Sequence, residues 1–222
     1  MSDFLAEYGA MLLQETAATL EMSLISTLFA YIIGIPVGVL VTITGEHSIL
    51  PCRPVNVILG WIVNMGRSIP FIILLVALMP FTREVVGTAI GVKGMIVPLI
   101  VAATPFVARM IETSLMEVDD GLIEVAHATG STTWQIIRKV LVPEAMPSLI
   151  NGAALCMTTI LAYTAMAGSA GGDGLGKIAI TYGLNYHEYV IMYVSSLLLV
   201  ALVQIIQIGG DILMRAVDHR KK

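Results

Sequence analysis

Residues 22–43 read MSLISTLFAYIIGIPVGVLVTI, a run without one charged side chain. An α-helix rising about 1.5 Å per residue carries such a run roughly 33 Å. That is enough to cross about 30 Å of hydrocarbon. No water reaches that depth to satisfy the main chain, so the segment must be helical. Gly34 and Gly38 sit four residues apart within it, which permits close approach of another helix. Pro36 between them implies a kink.

Outward from this run, the pattern repeats. Apolar blocks at about 55–80, 94–111, 148–167 and 189–210 predict four more spans. The composition agrees: 57% of the residues are hydrophobic and 13% charged, with a mean hydropathy of +0.88. Soluble domains carry about 25% charged residues. The expectation is an all-α integral membrane protein of five transmembrane helices, with residues 1–222 forming one domain. Residues 3–19 read as a short amphipathic helix on the membrane surface. Phe4, Tyr8, Met11 and Leu12 share one face, and Asp3, Glu7 and Gln14 lie elsewhere. The acidic N-terminus, Met1 to Glu7, does not suit a cleavable signal.

Charge chooses the orientation. With the N-terminus outside and the C-terminus cytoplasmic, the inner segments hold Arg53, Arg109, Arg138, Lys139, Arg215, Arg220, Lys221 and Lys222. The outer segments hold only Arg83, Lys93 and Lys177, eight positive charges against three. Residues 112–147 then form a cytoplasmic loop, and the glycine-rich stretch 168–176 is external.

The cytoplasmic loop carries the most information. Residues 121–130, GLIEVAHATG, read as a short helix, with Asp119 and Asp120 at its positive end and Gly130 suited to a left-handed stop. Thr132 and Gln135 have the spacing of a capping box that starts a second helix. Trp134, Ile137, Val140 and Leu141 form its apolar face, and Pro143 is expected to end it. Two helices joined at a glycine make either a knob that docks a soluble partner or a hairpin resting on the membrane.

Glu124-Val125-Ala126, three residues, Gly130, nine residues, Val140, one residue and Val142-Pro143 resemble the cytoplasmic EAA loop of ABC importer permeases. The departures, Val125, Val140 and Val142, are mild apolar exchanges. The resemblance implies that Glu124, Val125, Ala126, Gly130, Val140, Val142 and Pro143 couple the chain to a separate ATPase. A second resemblance narrows the family. Residues 66–76 (GRSIPFIILLV), 80–83 (PFTR), 97–99 (VPL), 105–110 (PFVARM) and 163–168 (YTAMAG) are similar to methionine importer permeases. Together they cover most of 60–215, and the first fifty residues resemble that group weakly.

What this resemblance implies is a permease subunit of the bacterial inner membrane that works as a homodimer by alternating access. Its partners are two ATP-binding subunits, a periplasmic or lipid-anchored methionine-binding protein, methionine as D- or L-isomer or a derivative, and membrane lipid. No nucleic acid, cofactor or catalytic residue is expected. Residues 171–177 have the glycine and lysine spacing of a P-loop, but Ile178 stands where magnesium needs Ser or Thr. Five helices are also few to enclose a polar path, and a two-fold dimer places that path on the shared axis.

Arg67 is the costly residue, a charge inside an apolar block. It either satisfies carbonyls freed by Pro70 or anchors the dimer, or it faces the path and meets a substrate carboxylate. Asn64 and Ser68 flank it as candidate path residues. Met166 is either ordinary packing or a flexible plug of the closed path. Lys177 and Glu188 are candidate contacts for the external binding protein. Cys52 and Cys156 suggest neither a disulfide nor a metal site. His47, His127, His187 and His219 share no metal-ligand spacing. Rival readings are a permease for another solute, a passive channel, and an intramembrane enzyme. For the last, Ala170-Gly171-Gly172-Asp173 lacks the first glycine of the aspartyl protease motif and has no evident aspartate partner.

Overall fold

The computed structural model describes residues 2–46 and 48–218, with side chains described from Glu7 onward. His47, His219, Arg220, Lys221 and Lys222 lie outside the described residues, as do the side chains of Asp3 and Phe4. Every regular element among the described residues is helical. The α-helices are α1 (Ser2–Ile43), α2 (Arg53–Ser68), α3 (Phe71–Val86), α4 (Gly91–Met116), α5 (Asp120–Ala128), α6 (Thr133–Ile136), α7 (Val142–Ala167), α8 (Leu175–Ile180) and α9 (Tyr189–Val217), with short π segments over Ile137–Leu141 and Thr181–Asn185 and a 3₁₀ turn over Gly168–Ala170. Four helical stretches, 7–43, 91–116, 133–170 and 189–217, are long and apolar enough to cross a membrane. The α2–α3 pair brings the number to five if it counts as one span. Large apolar side chains such as Leu28, Ile73, Leu197 and Ile205 are more than half exposed, as suits contact with lipid or another subunit rather than water.

Several expectations are corrected. The surface helix over 3–19 and the span over 22–43 are one helix of 42 residues. Nothing between Glu15 and Glu21 breaks helix geometry, and the N-terminal half has its own packing partners. The expected span over 55–80 is broken at Ile69-Pro70, where α2 and α3 bend by 105°. Pro70 cannot donate to the carbonyl of Gly66. It instead caps α3, its carbonyl accepting from Ile73 and Leu74 at 3.0 and 3.1 Å. α4 and α7 extend past the expected limits of 111 and 148, shortening the loop between them.

The chain divides into two compact units. The first holds residues 1–30, 69–103 and 157–207. In it, Leu12 of α1 packs with Leu175, Ile178 and Ile191, and the rings of Tyr8 and Tyr182 meet edge to face. α8 starts after Gly174, which has φ +106° and supplies no side-chain cap. α1 replaces that cap: Glu15 accepts from the Gly174 N–H, and Thr19 Oγ1 accepts from Leu175 N–H at 2.9 Å. Phe71 stacks on Tyr163 at 4.6 Å.

The second unit holds residues 31–68, 104–156 and 208–222. The paired glycines of α1 do what their spacing predicts. A Cβ on Gly34 would stand 2.6 Å from Val107 Cγ1, and one on Gly38 would stand 2.6 Å from the Ala108 carbonyl oxygen. At those positions α1 rests directly on α4. Gly66 plays the same part between α2 and Pro105 of α4. Asn56 Nδ2 donates to the Val41 carbonyl at 2.7 Å, tying the start of α2 to the end of α1.

Candidate functional site

The two-helix knob lies in the second unit. Asp119 caps α5, its carboxylate accepting from Gly121 N–H at 2.8 Å. α5 stops as a left-handed glycine allows. Gly130 has φ +78°, its N–H donates to His127 O at 2.9 Å, and Ser131 N–H donates to Ala126 O at 3.0 Å. These two bonds satisfy carbonyls at the helix end. The capping box is present: Gln135 N–H donates to Thr132 Oγ1, and Thr132 N–H donates to Gln135 Oε1 at 2.8 Å. Every bond here joins residues at most five apart, which is why the turn was legible in sequence.

Two details of the knob differ from expectation. Pro143 does not end the second helix. The backbone widens into a π turn over Ile137–Leu141, in which Val142 N–H reaches back five residues to Ile137 O. The helix then continues as α7, and Pro143 sits in its first turn, where no donor is required. Trp134 is also not on the buried face. It is 67% exposed, whereas Ile136, Ile137 and Leu141 are buried. Trp134, Val125 and Leu122 thus form an exposed apolar surface on the knob.

Beside the knob is a cavity of about 760 Å³. Glu46 and Asn56 line it from one side, Glu112 from α4, and Asp120, Glu124 and His127 from α5. Of the motif residues, Glu124 and Val125 are exposed, Ala126 is buried, Gly130 and Pro143 are exposed, and Val140 and Val142 are half-buried. The knob presents an exposed apolar surface, with Asp120 and Glu124 on the side facing this cavity and Arg138 and Lys139 exposed on its second helix.

A second cavity of about 250 Å³ lies in the same unit, lined by Arg67, Phe106, Arg109, Met110, Ser148, Asn151 and Leu155 among others. Arg109 is neutralised within its own helix: Nη1 donates to both carboxylate oxygens of Glu112, at 2.9 and 2.7 Å. Ser148 and Ser114 hydroxyls bond each other at 2.9 Å. Arg67, in the last turn of α2, is exposed to the cavity and has no ion-pair partner among the described residues. Ser68 donates to the Asn64 carbonyl at 2.8 Å, and neither Asn64 nor Ser68 lines this cavity. Met166 belongs to the other unit and is 51% exposed at the end of α7. Asn151 escaped sequence reasoning because nothing in its neighbourhood along the chain marks it out.

The glycine-rich stretch is built for backbone contact. A Cβ on Gly172 would stand 2.8 Å from the Ala167 carbonyl oxygen, and Gly168 and Gly176 would meet main chain still more closely. Lys177 pairs with Asp173 at 2.7 Å, and that hydrogen bond holds its ammonium above the ordinary lysine pKa. Glu188 accepts from the Tyr8 hydroxyl at 3.0 Å.

Residues 34–222 match the family described as binding-protein-dependent transport system inner membrane component. A Vibrio cholerae protein named probable D-methionine transport system permease protein MetI is 48% identical over 210 residues, covering 95% of this chain and 93% of that protein. A solved structure described as inward-facing conformations of the MetNI methionine ABC transporter superposes with a TM-score of 0.95 at 45% identity, over 96% of this chain and 99% of that one. An amino acid ABC transporter solved with histidines shares the fold alone, with a TM-score of 0.78 at 16% identity and 96% of each chain covered.

Proposed function

The chain belongs to the family of binding-protein-dependent transport system inner membrane components, and on that premise we propose that it is the permease of an ATP-driven methionine importer. Two copies enclose the path, two separate ATPase subunits supply the work, and an external methionine-binding protein delivers the substrate. Methionine as the substrate is supported by the likeness to the Vibrio cholerae D-methionine permease and to the MetNI methionine transporter, at 48% and 45% identity over nearly the whole chain.

In this reading residues 1–222 are one transmembrane domain of five spans, the α2–α3 pair counting as one broken span. The N-terminus is outside and the C-terminus cytoplasmic, by the charge asymmetry of the connecting segments. Residues 117–141 then face the cytoplasm, and 168–187 face outward.

The observation that carries the proposal is the capped, glycine-hinged knob that runs without a break into α7. Glu124, Val125, Ala126 and Gly130 form the part gripped by the ATPase, and Val140, Val142 and Pro143 form the joint to the span. A broken helix at Pro143 would absorb motion in the joint. A π turn keeps the main chain bonded, so displacement of the knob moves α7 with it. Such turns recur at functional positions. Arg67, Asn64 and Ser68 at the end of α2, and Met166 at the end of α7, face the path, with the Met166 thioether as a deformable plug.

Proteoliposomes holding the permease, its ATPase and the binding protein test this. ATP inside should drive uptake of radiolabelled methionine, and Glu124→Lys should abolish it while the permease remains in the membrane. Uptake that persists without the ATPase, or that unlabelled methionine does not compete away, refutes the assignment.

A further inference from the structure

The 250 Å³ cavity combines features that neither the knob nor the helix packing needs. Its two arginines differ in state. Arg109 is neutralised by Glu112, whereas Arg67 meets no carboxylate among the described residues. Its two serine hydroxyls satisfy each other. The Asn151 side chain, by contrast, makes no hydrogen bond among the described residues and is exposed on the same cavity. The remaining wall includes Phe106, Met110 and Leu155, all apolar. The cavity therefore has one uncompensated positive charge, one free carboxamide and an apolar side, within about 250 Å³.

We propose that Arg67 and Asn151 form a subsite for the α-carboxylate and α-ammonium groups of an apolar amino acid in transit. The guanidinium matches a carboxylate with two parallel hydrogen bonds. The Asn151 carbonyl oxygen accepts from the ammonium, which arginine cannot do. Phe106, Met110 and Leu155 receive the side chain, and aromatic and thioether surfaces suit an unbranched sulfur-containing chain. This places the polar ends of the substrate on α2 and α7 and its apolar end between α4 and Leu155 of α7. Charge inside an apolar block is costly and persists where it meets a ligand or a path. The neutralisation of Arg109 keeps the cavity from holding two competing anion sites.

This subsite rests on the importer reading, and the test separates the two. The permease–ATPase complex in nanodiscs, without binding protein, is illuminated with a methionine analogue bearing a side-chain diazirine. Label should fall on Phe106, Met110 or Leu155. Methionine should compete, and methioninol, which lacks the carboxylate, should not. Arg67→Gln should reduce labelling on the order of 10–100-fold, the range for losing a charge-assisted bond. Arg67→Lys should retain part of it, and Arg83→Gln all of it. Co-purification with the ATPase checks that each variant assembles. Labelling that is unchanged in Arg67→Gln, or equal competition by methioninol, overturns the subsite. So does labelling that appears only when anionic lipid is omitted, which would make Arg67 a headgroup contact. A wild-type complex that labels as stated but imports no methionine refutes the importer reading alone.

Discussion

Replacing Gly130 isolates the backbone of the coupling turn from everything around it. Its φ is +78° and a Cβ there would meet no atom within 4 Å, so Gly130→Ala adds no clash and removes no contact. What remains is the cost of holding an L-residue in the left-handed region, about 1–2 kcal/mol. That corresponds to a factor of about 5–30 in the population of the native turn. When the turn is lost, the bonds from Gly130 to His127 and from Ser131 to Ala126 go with it. α5 is nine residues long, too short to stand without its stop. Asparagine tolerates this conformation better than alanine. Uptake in proteoliposomes should therefore fall in the order glycine, Gly130→Asn, Gly130→Ala, Gly130→Pro. Hydrogen exchange over residues 119–136 should speed up in the same order, while α4 and α9 keep their protection. Wild-type uptake and wild-type exchange in Gly130→Ala would refute the claim that the left-handed turn sets the geometry of the knob. Faster exchange with normal uptake would leave the turn as described and remove its role in coupling.

Gly38→Val should lower the thermal stability of the purified permease by about 1–3 kcal/mol, because its Cβ would stand 2.6 Å from main-chain oxygen that cannot yield. Gly9→Ala, in open space on the same helix, should be neutral or gain about 0.5–1 kcal/mol; equal losses at both positions would refute the α1–α4 contact. For Lys177 the folded ammonium is held above its ordinary value by Asp173. The pair's contribution is complete below the unfolded lysine pKa of about 10.4 and is lost only as pH rises through the higher folded value. The proteolytic protection of residues 168–187 that Lys177→Met removes should thus be constant between about pH 6 and 9, and a marked fall within that window would show that another group governs it.

Several parts of the site were legible because their physics is local. The Gly130 stop and the Thr132–Gln135 capping box each depend on bonds spanning a few residues, and residue type and spacing specify them; Asp119 was legible only as a favourable charge at the helix start, and its cap bond to Gly121 came from the structure. The apolar blocks were legible for a similar reason, since transfer into hydrocarbon acts residue by residue. Gly34 and Gly38 announced a close contact without naming its partner, because a missing Cβ makes room on one side only.

What the sequence determined by itself is therefore the inventory: which stretches are apolar helices, where the polar knob begins and turns, and which charge sits awkwardly within an apolar block. Tertiary structure decided how those pieces continue and what they meet. It joined residues 2–43 into one helix, held by contacts from Leu12, Glu15 and Thr19 to residues more than 150 positions away. It carried the chain through Pro143 by a π turn and broke it at Pro70. It also set Asn151 on the same cavity as Arg67. Proline removes one donor wherever it stands. Whether the chain then bends, as at Pro70, or widens, as before Pro143, shows only in the backbone bonds that form, from Ile73 and Leu74 to the Pro70 carbonyl and from Val142 to the Ile137 carbonyl.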